Sequence, residues 1–134
     1  MNDETAASAP DLAIRTKEFS LRIIRMFCAL PKSTPAQVLG KQVLRSRTSV
    51  GANYREAKRA RSKPEFISKI GECLRELDET AYWLELLSES AVAPAKKFAA
   101  LHDECNQLLA ILTKISKSAK SQKVQNISRP FHHS

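Results

Sequence analysis

Carboxylates and histidines that could bind a metal occur in the chain, but their spacing suits no known type of site. Glu72, Glu76 and Glu79 are close in sequence, and none has the histidine three residues later that a di-iron carboxylate bundle requires. His102 and Cys105 are three residues apart and could touch one ion, yet two ligands do not make a zinc site. We therefore predict no metal site, and a surface or boundary position for His102.

Motifs for nucleotide binding and nucleophilic catalysis are also missing. The chain has no Walker A loop, no Gly-x-Ser-x-Gly elbow and no nucleophile with an evident base. Its cysteines, Cys28, Cys73 and Cys105, are odd in number and include no Cys-x-x-Cys pair, so we expect reduced, buried thiols. The sequence predicts a protein that is not an enzyme, has no catalytic residues and needs no cofactor.

Prolines divide the chain into segments with helical periodicity. They stand at positions 10, 31, 35, 64, 94 and 130, and proline is tolerated in the first turn of a helix but not in its interior. Thr34-Pro35-Ala36-Gln37 and Ser62-Lys63-Pro64-Glu65 both read as capping boxes. The pattern predicts four helices, over about 11–30, 35–60, 64–90 and 94–118.

Apolar residues recur every three or four positions in each predicted helix, most regularly from Phe98 to Ile115. Four helices joined by short loops are typical of an all-α fold, an antiparallel up-down-up-down four-helix bundle. We place this bundle at residues 11–118, after a flexible N-terminus at 1–10 and before a disordered basic tail at 119–134. Further apolar residues beside the main stripes, such as Ile24 and Trp83, indicate either a subunit interface or a broad core face.

Composition agrees with one globular domain. The chain has 134 residues, of which 43% are hydrophobic and 27% charged, and it has only three glycines, which argues against a turn-rich β fold. No apolar run approaches the roughly 20 residues that span a bilayer, and the acidic N-terminus has no signal-peptide character. We expect a cytoplasmic protein that does not contact a membrane.

Charge is distributed unevenly along the chain, whose formal net charge is +8. Residues 41–63 carry eight basic side chains and one acidic, a net of +7, whereas residues 64–93 carry two basic and seven acidic, a net of −5. On a helical wheel Lys41, Arg45, Arg55 and Arg59 lie within about 40° of one direction, opposite the apolar stripe. We define the basic ridge as these four residues with Lys58 and Arg61, and predict that it contacts nucleic-acid phosphates. The alternative is that carboxylates of the third helix, in the same or a neighbouring subunit, neutralise it.

Asn53 is a polar residue at a predicted core position, between Val50 and Ala57. Buried asparagine needs hydrogen-bond partners, and we predict a structural polar cluster of Asn53, Glu56, Glu76 and Glu79. The alternative is a hydrated position at the edge of the core. Gly51 and Gly71 lie inside helices at a cost in stability, which we attribute to close helix approach.

The second helix also carries a family resemblance. Gln42, Arg45, Arg47, Ser49, Asn53 and Glu56 match the signature of the bacterial four-helix-bundle proteins that are called 23S rRNA intervening-sequence proteins. The segments from Arg59 to Phe66 and from Glu76 to Thr80 are also similar to family motifs, and the resemblance covers roughly residues 12–115. Gly51-Ala52 and Tyr54-Arg55 differ from the residues that are more common at these positions of the signature, which indicates a subfamily variant.

This resemblance implies an antiparallel four-helix bundle, commonly assembled as a ring-shaped homopentamer. The accessory proteins of diversity-generating retroelements are similar, and they form pentameric barrels that bind nucleic acid and a reverse transcriptase. Two hypotheses follow. One is a homo-oligomeric accessory protein that binds RNA or DNA through the basic ridge, with a protein partner as a further possibility. The other is a structural or protein-interaction module whose basic second helix pairs with the acidic third helix within the oligomer.

Overall fold

Four α-helices make up the backbone that the computed structural model describes, residues 3–125. They are α1 (Asp3–Cys28), α2 (Thr34–Lys58), α3 (Lys63–Glu89) and α4 (Lys96–Gln125). Side chains are described for residues 12–45 and 50–121. In this part of the chain each helix packs closely against its neighbours in sequence, α1 closes the ring against α4, and the backbones of diagonal helices stay farther apart. The predicted all-α, antiparallel up-down-up-down four-helix bundle is confirmed.

The core consists of the apolar stripes that periodicity identified. Phe19, Ile23, Ile70, Leu77 and Leu108 are among its fully buried side chains. Two buried threonines avoid unpaired hydroxyl groups by bonding within their own helices. The hydroxyl of Thr16 donates to the Leu12 carbonyl at 2.8 Å, and that of Thr80 donates to the Glu76 carbonyl at 2.7 Å.

The packing around this core is uneven. Among the described residues the α2–α3 contact is the most extensive and the α1–α4 contact the smallest. Arg15 of α1 joins the α1–α4 edge to Glu104 of α4 by two hydrogen bonds, of 3.1 Å from Nε and 2.8 Å from Nη2. Both side chains are largely shielded from solvent, so this forked ion pair helps to hold α1 against α4.

The two predicted capping boxes differ in outcome. Ser62 caps α3 as predicted, because its hydroxyl accepts the Glu65 N–H at 3.2 Å while the Glu65 carboxylate accepts the Arg61 N–H at 3.0 Å. The prediction that Thr34 caps α2 is wrong. Ser33 occupies the N-cap position without a side-chain cap bond, and the Gln37 amide donates to the Pro31 carbonyl instead.

Both outer helices are longer than the sequence predicted. Helix α1 already includes residues 3–10, and α4 continues from 118 to Gln125. Ala119 is still buried, although it falls past the last large apolar residue of the stripe. The rest of the predicted tail, residues 126–134, lies outside the described residues.

The three helical glycines differ in how much space surrounds them. A Cβ at Gly40 would lie 2.5 Å from Leu30 Cδ1 and 2.8 Å from Phe27 Cδ1, so α2 approaches α1 closely there. A Cβ at Gly51 would meet the backbone of Thr16 at an ordinary 3.8 Å. At Gly71 it would meet only the end of the Arg75 side chain, so the prediction of close helix approach is wrong for Gly71.

The three cysteines differ in solvent exposure. Cys73 and Cys105 are buried as predicted, whereas Cys28, at the last turn of α1, is exposed, which corrects the prediction for that residue. Burial raises the pKa of each buried thiol to about 12, since an apolar surrounding disfavours the thiolate. None of the helices described is apolar over enough length to cross a membrane.

Candidate nucleic-acid interface

All six members of the basic ridge are exposed. Five of the six side chains lie on α2 or at its C-terminal cap, and Arg61 lies in the loop that follows. Arg55 and Lys58 stand in the last turn of α2, where positive charge complements the helix dipole. Arg45 donates a hydrogen bond to the Gln42 amide oxygen at 3.0 Å. The structure thus places the ridge on the surface that the helical wheel indicated.

Charge pairing between α2 and α3 runs opposite to what composition suggested. The acid comes from the basic helix and the base from the acidic helix, because Lys69 Nζ of α3 lies 2.8 Å from Glu56 Oε1 of α2. Lys69 is also 3.7 Å from Glu72. The hydrogen bond to Glu56 is the main reason that the pKa of Lys69 is raised. Among the described residues, no ridge side chain forms an ion pair with a carboxylate.

A groove of about 520 Å³ opens between α1 and α2 beside the C-terminal half of the ridge. Its cationic lining consists of Arg55, Lys58 and Arg59 from α2 and Lys17 from α1. Small residues, Ala13 and Ala52 among them, line the groove between these cations. Sequence reasoning missed Lys17, because its place beside α2 depends on how α1 is rotated against that helix.

The predicted polar cluster does not assemble around Asn53. Asn53 is half-buried, and Tyr54 takes the core position between Val50 and Ala57, with only 4% of its surface exposed. Burial is the main cause of a raised Tyr54 pKa. Among the described contacts, no hydrogen bond links Asn53 to any of the three glutamates. The position matches the alternative reading, a residue at the edge of the core.

Glu76 and Glu79, the two α3 members of that cluster, bond elsewhere or not at all. Glu79 accepts a long hydrogen bond of 3.5 Å from the Trp83 indole, and Glu56 pairs with Lys69 as described above. The side chain of Glu76 is half-buried, and its backbone carbonyl accepts the Thr80 hydroxyl. The three glutamates therefore form no shared site in the described structure.

His102 and Cys105 point to different partners. His102 is half-buried, with Nε2 3.2 Å from a Glu85 carboxylate oxygen and Nδ1 3.4 Å from the Asn106 amide nitrogen. The Cys105 thiol donates to the Leu77 carbonyl at 3.1 Å inside the core. The boundary position predicted for His102 is confirmed. Over the described residues, no group of three or more His, Cys, Asp or Glu side chains could hold a metal ion.

These features define a class, an all-α four-helix bundle with an exposed basic surface along its second helix. The chain belongs to the 23S rRNA-intervening sequence protein family, whose model matches residues 11–114. The resemblance drawn from the second-helix signature is therefore confirmed.

A solved structure is similar over most of the chain. It is the crystal structure of a Bacteroides thetaiotaomicron VPI-5482 protein, described as a protein with unknown function from the S23 ribosomal protein family. The two sequences are 35% identical and the TM-score is 0.73. The match covers 78% of this chain and 97% of the other. No curated protein matches this chain.

Proposed function

We propose that this protein is a non-enzymatic, homo-oligomeric accessory protein that binds RNA or DNA through the basic ridge. One observation carries the proposal: the ridge is exposed, and within the described residues no carboxylate pairs with it. Lysine and arginine side chains that are not already paired can neutralise phosphates and release condensed counterions. The three cysteines, none of them in a disulfide, accord with a reducing compartment, and we place the protein in the cytoplasm.

Backbone contacts of this kind provide affinity without reading sequence. Lysine and arginine side chains that meet phosphates position a nucleic acid but carry no base information. Lys41 and Arg59 are 18 residues apart, which is roughly 27 Å along the helix, so one ridge can contact several successive phosphates. Repetition of the ridge in an oligomer would raise the overall affinity through multivalency.

Self-association is the second part of the proposal, and the family resemblance points to five subunits. Helix α3 supports it with an aromatic pair that the bundle does not fully cover. The rings of Tyr82 and Trp83 lie 5.2 Å apart, and Tyr82 is 54% exposed. Aromatic side chains left at the surface suit a subunit interface.

A salt titration with charge-reversal variants tests nucleic-acid binding. Filter binding to a labelled RNA and to a labelled DNA should show a logarithmic affinity that falls linearly with the logarithm of the salt concentration. The Arg55→Glu, Arg59→Glu double variant should bind much more weakly. Lys114→Glu with Lys117→Glu is the matched control, because it makes the same charge change on exposed positions of α4.

Light scattering is needed alongside, to show that each variant keeps the wild-type subunit number. Equal weakening by the ridge pair and the α4 pair would mean that net charge, and not the ridge, determines binding. Undetectable binding of the wild-type protein at low salt would contradict the proposal.

A structural or protein-interaction module is the second candidate. The half-buried Glu76 and the exposed Asp78 of α3 form no ion pair in the described structure, so they could meet a ridge from a neighbouring subunit. Among the described residues of one chain this pairing does not occur. Loss of the oligomer in the Arg55→Glu, Arg59→Glu variant, together with no nucleic-acid binding by the wild type, would favour this candidate over the first.

A further inference from the structure

We propose that the groove between α1 and α2 receives the sugar–phosphate backbone of a single-stranded nucleic acid, and that Lys17 of α1 is one of its contacts. This inference rests on the proposed function, because it names the form of nucleic acid and adds a residue outside the ridge. Lys17 is four positions from Ala13 and three from Ser20, so all three lie on the same side of α1.

Cations line both sides of the groove. Lys17 stands on the α1 side, and Arg55, Lys58 and Arg59 stand on the α2 side, whereas the described lining includes no carboxylate. A concave surface with charge of one sign focuses the electrostatic field more strongly than an open ridge does. A phosphate inside the groove would therefore meet positive charge from two directions.

The size of the groove favours a single strand. Its volume of about 520 Å³ lies within the range of small-molecule binding sites and can hold a short stretch of backbone. Packed helices lie about 8–10 Å apart, so a groove between two of them is narrow. A duplex could present only the outer edge of one strand to such a groove, while a flexible single strand could enter it.

Small residues keep the groove open. Ala13 and Ala52 are exposed, and Gly51 lies where α2 approaches the Thr16 backbone. Larger side chains at the exposed positions would occupy the volume where the strand is expected. These positions allow a steric test that leaves the charge of the protein unchanged.

The lining also indicates what is recognised. Tyr54 is the aromatic residue of the groove, and at 4% exposure it does not present a ring face on which a base could stack. Without stacking, affinity has to come from phosphate contacts, so binding should tolerate many sequences and depend strongly on salt.

Fluorescence anisotropy with a 20-nucleotide oligouridine and a 20-base-pair RNA duplex tests the inference. The wild type should bind the single strand more tightly. Lys17→Gln should weaken that binding by about fivefold and lower the salt slope by about 0.7, the loss of one phosphate contact on a single strand. Lys114→Gln, an equal charge change on α4, should have no such effect.

Ala52→Leu tests the effect of filling the groove with a larger side chain. Ala110→Leu, at an exposed position of α4, is its control. Blocking the groove should weaken binding of the single strand by at least fivefold, whereas the control should bind like the wild type. Circular dichroism and the elution volume on gel filtration must match the wild type for all four variants, which keeps folding defects apart from binding defects.

The outcomes separate this inference from the proposed function. If the Arg55→Glu, Arg59→Glu variant loses binding while Lys17→Gln and Ala52→Leu behave like their controls, the groove is excluded and the ridge stands. Preference for the duplex also overturns the groove. If the wild type binds neither probe, both proposals fail.

Discussion

Replacing Gly71 with alanine should stabilise the bundle, whereas the same replacement at Gly40 should bring no such gain and leave a less stable protein than Gly71→Ala. Both glycines lie inside helices, so both variants gain the preference of a helix interior for alanine over glycine, about 1 kcal/mol. They differ in the space that awaits the new methyl group. Because the helix-propensity gain is common to both, the difference between the two free energies of unfolding isolates the steric contribution.

The distances indicate the size of that contribution. At Gly40 the methyl group would lie 2.5 Å from Leu30 Cδ1 and 2.8 Å from Phe27 Cδ1, so at least one of these side chains must move. Leu30 is buried at 6% exposure, and forcing extra volume into a packed core costs about 1–3 kcal/mol. At Gly71 the nearest atom is the end of Arg75, at 3.8 Å. We expect Gly71→Ala to gain about 1 kcal/mol and Gly40→Ala to be about 1–3 kcal/mol less stable than Gly71→Ala.

Urea unfolding followed by circular dichroism measures these differences. All proteins should be compared at one concentration, because self-association would make the free energy of unfolding depend on concentration. Equal free energies of unfolding for the two variants would refute the claim of close packing at Gly40. A destabilised Gly71→Ala variant would show instead that a neighbouring surface covers that position.

Three further outcomes are expected from the contacts described above. A double-mutant cycle on Arg15→Ala and Glu104→Ala should give a coupling of about 1 kcal/mol in urea unfolding, and a value near zero would show that this forked, partly buried pair does not support the α1–α4 edge. Ser62→Ala should lower the free energy of unfolding by about 1 kcal/mol, because it removes the cap bond of α3. Ser33→Ala has no cap bond to lose and should change that free energy by only a few tenths of a kcal/mol. Similar losses in the two variants would contradict the assignment of the caps. A thiol reagent at pH 8 should label Cys28 alone in the native protein and all three thiols in urea. The pKa of each buried thiol is raised from 9.0 to about 12, so the folded protein keeps these two protons at pH values where the unfolded chain has lost them. The free energy of unfolding should therefore fall as pH rises from about 9 to 12. An unchanged urea midpoint over that interval would argue against the buried thiols.

The number and order of the helices could be predicted because their signals are local. Prolines and a spacing of three or four residues act within one helix, and they located four helices and most of the core. Their ends were less accurate. Helix α4 continues to Gln125 through mostly polar and small residues, without an apolar pattern to reveal it. At α2, Ser33 and Thr34 are both suitable caps by residue type, and the backbone selects Ser33.

The apolar stripe of α2 shows a choice between two core residues that helical periodicity alone cannot make. After Val50, both a step of three, to Asn53, and a step of four, to Tyr54, satisfy a helical repeat. The structure buries Tyr54 on the same side of α2 as Val50, whose carbonyl accepts the Cys73 thiol of α3 at 3.7 Å. Asn53 is left at the edge. The rotation of α2 about its axis, which packing against two neighbours determines, made the choice.

The charge distribution likewise combines features that one helix determines with features that depend on two helices. The sequence by itself determined that the second helix is basic, that the third is acidic and that the ridge lies opposite the apolar stripe, since these depend on residue type and position along one helix. Only the tertiary structure decided that Glu56 pairs with Lys69, that Gly40 lies against α1 and that Lys17 shares a groove with the C-terminal end of the ridge. Each of these depends on the distance and rotation between two helices, and those quantities are set by how all the side chains of the core pack together.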